Sequence, residues 1–192
     1  MTEEFAFEEM PRLETKRLVL RRFDTRADID ALFDLFADPE VARYTDTGPF
    51  SERADAVEVA EWIDQIFAER VGMRWAITIG GKEGSLVGTA GFNHWDAHNS
   101  LAEIGYDLAR DHWGQGLMTE ALEAIVEFGF EAMNLNRIEA DVTVGNDASI
   151  AVLEKLGFNR EGLFRQRAFW KGSYHDLVFL GLLRADWERH QS

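Results

Sequence analysis

The first half of the chain shows patterns of hydrophobic and polar positions that predict one strand, two helices and then three strands. Residues 17–23 alternate enough to form a strand, and the helical segments place apolar residues three and four apart. Ser51 is placed to cap the second helix, which is expected to end at Gly72. A turn is expected at the glycine-rich residues 80–84. The predicted strands are residues 17–23, 73–79, 86–94 and 101–108, and the predicted helices are residues 25–38 and 51–72.

In the second half, helices and strands alternate. The segment 109–116 (ARDHWGQG) leads into a helix whose apolar stripe begins at Leu117. Asn146 opens another helix, and Gly157 stops it. Further strands are expected at residues 137–144, 162–170 and 174–183. This order predicts a mixed α/β fold, in which an antiparallel meander is followed by a crossover helix.

The composition is that of one ordinary globular domain. Of the 192 residues, 46% are hydrophobic and 29% are charged, which excludes disordered, collagen-like and disulfide-scaffold proteins. No repeat, low-complexity tract or linker divides the sequence, so residues 1–192 are expected to form a single domain. Because the sequence has no cysteine, disulfides, thiolate metal sites and acyl-cysteine intermediates are excluded.

The sequence gives no sign of export or membrane insertion. Its N-terminus is acidic, whereas a signal peptide needs a positive region followed by an apolar one. No apolar run approaches the roughly 18 residues that a membrane span needs. We therefore expect a cytoplasmic protein with no membrane partner.

The charge is strongly acidic and unevenly distributed. The chain carries 35 acidic and 20 basic residues, a net charge of −15, and such a surface repels the phosphates of nucleic acid. Nucleic acid is therefore not an expected partner. Residues 1–70 alone carry 18 acidic and 9 basic side chains. This acidity either serves solubility or attracts a cationic ligand.

The segment Trp113-Gly114-Gln115-Gly116 stands between a predicted strand and a predicted helix. Two glycines separated by one residue let backbone N–H groups approach an anion, and the free amides at the start of the helix favour phosphate. A tight turn without a ligand would use the same residues. The segment lacks the third glycine of the dinucleotide fingerprint, and no Gly-Lys-Ser/Thr follows as in a P-loop.

Four segments carry a resemblance to a known family. They are LETKRLVLRRF (13–23), AEIGYDLARDHWGQGLMTEAL (102–122), VGNDASIAVLEKLGF (144–158) and EGLFR…GSYHD (161–176). In this order they resemble the GNAT superfamily of acetyl-coenzyme A (acetyl-CoA) dependent N-acetyltransferases, in particular its RimJ and RimL type branch of ribosomal-protein N-terminal acetyltransferases. The resemblance implies the GNAT fold: a central, mostly antiparallel, twisted sheet of about seven strands, with helices on both faces and a splayed strand pair that holds the cofactor.

The resemblance also implies which residues bind acetyl-CoA. Backbone groups near Tyr106 and Leu108 would pair with the pantetheine arm, and the amides after Trp113, with the Thr119 hydroxyl, would hold the pyrophosphate. Asn146 matches the family asparagine that hydrogen-bonds the arm, and it is equally suited to cap a helix. The implied cofactor-binding residues are Tyr106, Leu108, Trp113, Gly114, Gln115, Gly116, Leu117, Met118, Thr119, Asn146 and Ser149.

Two residues match catalytic positions of the family. Glu103 lies where several members place a general base, and an exposed strand carboxylate is the alternative. Ser149 completes the N-x-x-S pattern of the RimL-like branch, in which a serine near the thiol sulfur donates a proton or anchors a water; a capping hydroxyl is the alternative. The chain departs from the family at Leu153, where many members carry a tyrosine acid. It also departs at Ala168, where RimL-like enzymes carry an acidic residue.

The acceptor is implied to be a primary amine that attacks the thioester directly, either a protein or peptide N-terminus or a small cationic amine. His94 and Trp95, with Glu103, are the candidate substrate residues. No metal is expected, because the HWDAH segment (94–98) falls in a predicted loop with no further strong ligand nearby. The alternatives are an acetylase of amino acids, polyamines or aminoglycosides, and a non-catalytic acyl-CoA-binding sensor. A homodimer is common in this family.

Overall fold

The computed structural model describes residues 7–81 and 84–190. Residues 1–6, which belong to the acidic N-terminus, and residues 82–83 of the expected turn lie outside the described residues. The strands are β1 (Leu13–Glu14), β2 (Leu18–Arg21), β3 (Met73–Ile79), β4 (Ser85–Asp96), β5 (Leu101–Leu108), β6 (Arg137–Thr143), β7 (Asn159–Trp170) and β8 (Ser173–Leu183). The helices are α1 (Ile29–Ala37), α2 (Arg53–Ala68), α3 (Leu117–Glu131), α4 (Asp147–Lys155) and α5 (Arg184–His190), with short 3₁₀ turns at Ala42–Tyr44 and Arg110–His112.

The strands form one sheet in the order β1-β2-β3-β4-β5-β6-β8-β7. Neighbouring strands run antiparallel except β5 and β6, which are parallel. The mixed α/β fold with a mostly antiparallel sheet is confirmed, and among the described residues the sheet has one strand more than the seven expected. The additional strand is β1, whose two residues are too few to show a period of two.

Helix α5 is a second element that the sequence does not predict. It follows β8 without a connecting loop and has only seven residues. Most of these are charged, so they show no apolar stripe. The exception is Trp187, whose ring packs 5.2 Å from that of Phe130 on α3. Arg184, the first residue of α5, also donates from its Nε to the Leu135 carbonyl oxygen at 3.0 Å and from its Nη2 to the Phe130 carbonyl oxygen. The aromatic contact and these hydrogen bonds together attach α5 to the core.

Helices cover both faces of the sheet because strand residues alternate between two hydrophobic cores. In β3, Trp75 and Ile77 point into the larger core, which contains the apolar side chains of α3 and α4. Ala76 points into the other core, which contains those of α1 and α2. A strand that is buried on both faces shows a continuous apolar run, as residues 73–77 do apart from Arg74.

The parallel pair β5–β6 opens after a short stretch of pairing. The paired residues run from Leu101 with Arg137 to Glu103 with Glu139. Beyond that point β5 stays paired with β4, and β6 stays paired with β8. The two strands therefore diverge and leave a gap in the middle of the sheet, as expected for a splayed strand pair.

Candidate active site

A groove of about 1200 Å³ begins where β5 and β6 diverge. Its walls come from the second halves of these strands, the N-terminal ends of α3 and α4, and the loop between α1 and α2. One end lies at the start of α3. The other end, here called the acceptor end, is lined by Asp46, Glu58, Trp62, Arg74 and Asp141. The lining includes Tyr44, Asp46, Glu58, Trp62, Arg74, Tyr106, Asp107, Gly114, Gly116, Thr119, Asp141, Asn146 and Ser149.

The start of α3 presents free backbone amides to the groove. Gly114 and Gly116 have φ angles of 70° and 74°, in the left-handed region that favours glycine. Gly116 is the N-cap residue, so no side chain caps the first turn. A Cβ built on Gly114 would meet no atom of the described residues within 4 Å. The open loop, the free amides and the helix dipole together favour an anion such as phosphate.

The other cofactor candidates at the start of α3 include Trp113, which is exposed, and three buried residues of the first helical turn. The Trp113 indole Nε1 donates a hydrogen bond to the Leu108 carbonyl oxygen at 2.7 Å, which ties the loop to the end of β5. Leu117, Met118 and Thr119 are buried, and the side chains of Leu117 and Met118 belong to the larger core. All three residues line the groove, and the resemblance implies that their backbone amides, with the Thr119 hydroxyl, contact the pyrophosphate.

An ion pair that the sequence does not predict holds the same loop. The Arg17 Nη1 donates to the Gln115 carbonyl oxygen at 2.9 Å, and the Arg17 Nε donates to the Glu120 carboxylate at 2.6 Å. The Thr15 hydroxyl also donates to this carboxylate, at 2.6 Å. Arg17 thereby compensates the negative charge that Glu120 places in the first turn of α3. The two residues are 103 positions apart, so no local pattern could reveal the pair.

The first turn of α4 brings three candidate residues together. The Asn146 Oδ1 accepts a hydrogen bond from the Ser149 backbone N–H at 3.3 Å, so Asn146 caps the helix. The Tyr106 hydroxyl lies 2.7 Å from the Ser149 Oγ. Burial raises the pKa of Tyr106 to about 12. The sequence places Tyr106 at the cofactor through its backbone, whereas the structure adds its side chain to the groove.

Glu103 lies beside the point where β5 and β6 separate. It is level with His94 on β4 and with Glu139 on β6, and Asp141 follows two residues further along β6 on the same face. Burial raises the pKa of the Glu103 carboxyl, and the nearby Asp141 carboxylate raises it further. Burial also raises the pKa of Asp141, which lines the groove. A raised pKa brings a carboxylate closer to the range that suits a general base near neutral pH.

Three candidate residues lie outside the lining of the groove as the described residues form it: His94, Trp95 and Glu103. A bulge in β4 leaves Asn93 without a partner on β5 and places His94 opposite Glu103. Trp95 lies opposite Ala102 and packs against the larger core. Glu103 lies near Asp141, which lines the groove, and contact of Glu103, His94 or Trp95 with a substrate stays a prediction.

A buried arginine, Arg74, lines the acceptor end. Its Nε and Nη2 donate to the Thr89 hydroxyl oxygen at 3.0 and 2.8 Å, and its Nη1 donates to the Asn93 Oδ1 at 2.6 Å. Its Nη2 also donates to the Asp107 carboxylate. Burial raises the pKa of Asp107 and lowers that of Arg74, and the attraction between the two charges opposes both shifts. The described residues of the lining include one further arginine, Arg43, which is paired with Glu40, so the remaining carboxylates make the lining negative. Single polar residues on three strands give no sequence signal for such a network.

The loop between α1 and α2 is fastened across the groove. The Tyr44 hydroxyl donates to the Gly145 carbonyl oxygen at 2.8 Å, and the Thr143 hydroxyl donates to the Tyr44 carbonyl oxygen at 3.4 Å. The Lys171 Nζ donates to the Ala42 carbonyl oxygen at 2.6 Å. These contacts hold the loop against the β6–α4 connection and the β7–β8 hairpin, and so fix one wall of the acceptor end.

Two further findings concern residues 7–81 and 84–190. No cluster of three or more His, Asp or Glu side chains in these residues is arranged to hold a metal ion. In the same part of the chain, every helix is too short or too polar to cross a membrane.

Comparisons with known proteins agree with this geometry. The family described as Acetyltransferase (GNAT) domain matches residues 17–159. The Bacillus licheniformis protein named "Uncharacterized N-acetyltransferase p20" is 38% identical over 178 residues, which are 93% of this chain and 99% of that protein. The ribosomal-protein-serine acetyltransferase of Escherichia coli (strain K12) is 35% identical over 96 residues, which are 50% of this chain and 54% of that protein.

Solved structures support the same assignment. The crystal structure of a GNAT family acetyltransferase from Bacillus anthracis matches with a TM-score of 0.79 at 26% identity, covering 90% of this chain and 98% of that chain. The fold expected from the resemblance is thus confirmed. From its sequence, its fold and its relatives, the chain belongs to the GNAT family of N-acetyltransferases.

Proposed function

We propose that this N-acetyltransferase binds acetyl-CoA along the groove and transfers the acetyl group to a cationic primary amine at the acceptor end. The observation that supports the proposal most is the position of the splay. The gap between β5 and β6 leads from the free amides of α3 to the carboxylate of Asp141. One continuous groove thus offers donors for a pyrophosphate, a slot for an extended arm and a charged pocket for an amine.

The residues of the groove fit acetyl-CoA as the co-substrate. Gly114 and Gly116 supply space and amides for the pyrophosphate, and the diverging edge of β5 near Tyr106 faces the slot for the arm. A protein with a net charge of −15 cannot attract a diphosphate through its overall field. Local amides, with Arg17 beside them, therefore have to hold the phosphates.

The acetyl thioester is already activated, so the chain has to orient the amine, accept its proton and stabilise the departing thiolate. We assign the base to Glu103, whose pKa burial raises, acting directly or through one water. Asp141 lines the groove next to it and is placed to hold the ammonium group before the proton leaves. Ser149 lies across the groove on α4 and is assigned to the sulfur.

The charges at the acceptor end favour a cation. Asp46, Glu58 and Asp141 line it, whereas the charge of Arg74 is compensated by Asp107. The Trp62 ring, over which the Arg74 guanidinium lies 6.0 Å from the centroid, is partly exposed and adds an aromatic surface to the same groove. A peptide N-terminus and a small cationic amine both meet these requirements. The similarity to a ribosomal-protein-serine acetyltransferase favours the peptide N-terminus as the first acceptor to test.

The test is release of free CoA thiol from acetyl-CoA in the presence of single amines. The panel contains peptides with serine, alanine or methionine at the N-terminus, their N-terminally blocked counterparts, polyamines, amino acids and an aminoglycoside. We expect turnover with a free, cationic primary amine and none with the blocked peptide. A preference for anionic amines, or CoA binding without turnover on every amine, would contradict the proposal.

A further inference from the structure

Tyr106 and Ser149 meet across the groove from β5 and α4. The Tyr106 Oη lies 2.7 Å from the Ser149 Oγ and 3.1 Å from the Ser149 carbonyl oxygen. The Tyr106 side chain packs against the larger core, which holds its hydroxyl in place. The Asn146 cap fixes the backbone of Ser149 from the other side. Both side chains line the groove, so the contact faces the space assigned to the thioester.

Counting protons shows that this pair has two arrangements. Each hydroxyl has one proton to donate and can accept hydrogen bonds. In the first arrangement Tyr106 donates to the Ser149 carbonyl oxygen and accepts the proton of the Ser149 hydroxyl. In the second, Tyr106 donates to the Ser149 Oγ, and the serine proton becomes free to point into the groove. Both oxygen–oxygen distances allow a hydrogen bond. The first arrangement has two hydrogen bonds within the pair and the second has one, so the freed serine proton needs an acceptor in the groove to restore the second bond.

We propose that Tyr106 is a positioning residue that turns the Ser149 hydroxyl toward the thioester sulfur as the carbon–sulfur bond breaks. The inference rests on the proposed function, because it requires the sulfur of acetyl-CoA to reach Ser149. In this step the amine nitrogen forms the new bond to the acetyl carbon, and the electron pair of the broken bond stays on sulfur. The Ser149 hydroxyl donates a hydrogen bond to the thiolate while Tyr106 donates to the Ser149 Oγ. The amine gives its proton to the base, and this proton later reaches the thiolate through solvent water, which regenerates the base.

Neither hydroxyl gives up its proton in this account. The pKa of Tyr106 is raised to about 12 by burial, whereas a thiol has a pKa of about 8.5, so transfer from the phenol to the thiolate would be unfavourable. The pair works instead as a donor of fixed direction. A hydroxyl whose oxygen accepts one hydrogen bond is a stronger donor in the next, which increases its effect on a developing negative charge.

The test measures the pKa of the CoA sulfhydryl bound to the protein, from the pH dependence of its alkylation by iodoacetamide. Because the chain has no cysteine, the bound CoA contributes the thiol signal alone. In the wild type the pair is expected to lower this pKa, and in Tyr106→Phe it should rise by about one unit, the effect of one hydrogen bond to a charged group. CoA affinity should stay within about threefold. Tyr174→Phe, at an exposed tyrosine outside the groove, is the matched control and should behave as the wild type.

An unchanged thiol pKa in Tyr106→Phe would overturn the inference. A second readout uses turnover: Ser149→Ala with Tyr106→Phe should be no slower than Ser149→Ala alone, because Tyr106 acts through Ser149, and independent effects would contradict this. The thiol measurement needs no acceptor, so it still decides the question if no amine in the panel is acetylated. Failure of the wild type to bind CoA would remove the proposed function and this inference together. If Tyr106→Phe does not fold, Ser149→Ala measures the same hydrogen bond from α4.

Discussion

The guanidinium of Arg17 donates to the Gln115 carbonyl oxygen at 2.9 Å and so ties the start of β2 to the loop that precedes α3. The same side chain is paired with Glu120 in the first turn of that helix. Arg17 therefore fixes a peptide group next to the expected phosphate site and offsets the nearest negative charge. Replacing Arg17 removes these two contacts and leaves the glycines and amides of the expected phosphate site in the sequence.

We predict that Arg17→Met weakens CoA binding by about 3- to 10-fold, the loss of roughly 1 kcal/mol for a hydrogen bond in a solvent-exposed place. Adding Glu120→Gln should recover part of the loss, because the uncompensated carboxylate is then gone. Arg160→Met is the matched control, since Arg160 is an exposed arginine paired with one carboxylate on the far side of α4. Titration calorimetry decides: equal affinities for Arg17→Met and Arg160→Met would show that Arg17 has no role in binding.

A second prediction separates the chemistry of Ser149 from its place in the helix. The cap of α4 uses the Asn146 side chain and the Ser149 backbone, so Ser149→Ala keeps the cap. We expect turnover to fall about 100-fold, as for loss of one donor to a developing charge, with little change in CoA affinity. Asn146→Ala should instead cost about 1 kcal/mol of unfolding free energy. Turnover of Ser149→Ala within about threefold of the wild type would leave Ser149 without a chemical role.

A third prediction concerns Glu103 and pH. Burial holds its pKa above the value in the unfolded chain, so ionisation of this carboxyl destabilises the fold. Stability from this group is fully present below the unfolded pKa of about 4.3 and is lost as pH rises through the folded value. Glu103→Gln should therefore raise the melting temperature at pH 7 relative to the wild type, and not at pH 4. It should also abolish most activity, because the base is lost.

The control for this change is Glu123→Gln, at an exposed position on α3. It should leave both the melting temperature and the turnover unchanged. In the wild type, turnover should fall as pH decreases through the raised pKa of Glu103. If Glu103→Gln keeps its turnover at every pH, the base is another group, and Asp141 is the next to test because it lines the groove.

A fourth prediction uses salt to test the charge of the acceptor end. Attraction between an ammonium group and these carboxylates is screened over about 8–10 Å at physiological ionic strength. The apparent KM for the amine should therefore rise with sodium chloride, with less change in kcat. Asp46→Asn should reduce this dependence, and Asp34→Asn, at an exposed position of α1 outside the groove, should not. A KM that does not change with salt would leave the acidity as a surface property.

Local sequence patterns predict the secondary structure where residues adjacent in the sequence determine the backbone conformation. The apolar run of β3 and the left-handed glycines before α3 are of this kind, since the conformation follows from the residue and its neighbours. Two-residue β1 and the mostly charged α5 are too short or too polar to show a period. Strand β1 forms because Leu13 pairs with Leu20 on β2, and α5 is held in place because Trp187 packs against Phe130 on α3. Both are tertiary contacts.

The groove shows the same division. The resemblance implies its backbone donors by position, whereas its polar network depends on which strands become neighbours. Arg74, Asn93 and Asp107 meet only because β3, β4 and β5 lie side by side. The Tyr106–Ser149 contact likewise joins β5 to α4 across the splay. Contacts between residues on distant strands and helices cannot be predicted from a single sequence, so these residues are identified as part of the groove only from the folded structure.

The most direct test compares turnover of acetyl-CoA, with the best amine found, between Gly114→Glu and Gly172→Glu. Gly114 and Gly172 have φ angles of 70° and 77°, and a Cβ at either position meets no described atom within 4 Å, so both changes impose similar backbone strain. Only Gly114 lies in the groove, where the new carboxylate would oppose the phosphates of acetyl-CoA. We predict that Gly114→Glu loses CoA binding and turnover while Gly172→Glu keeps both. Equal turnover by the two variants would contradict the assignment of the groove to acetyl-CoA.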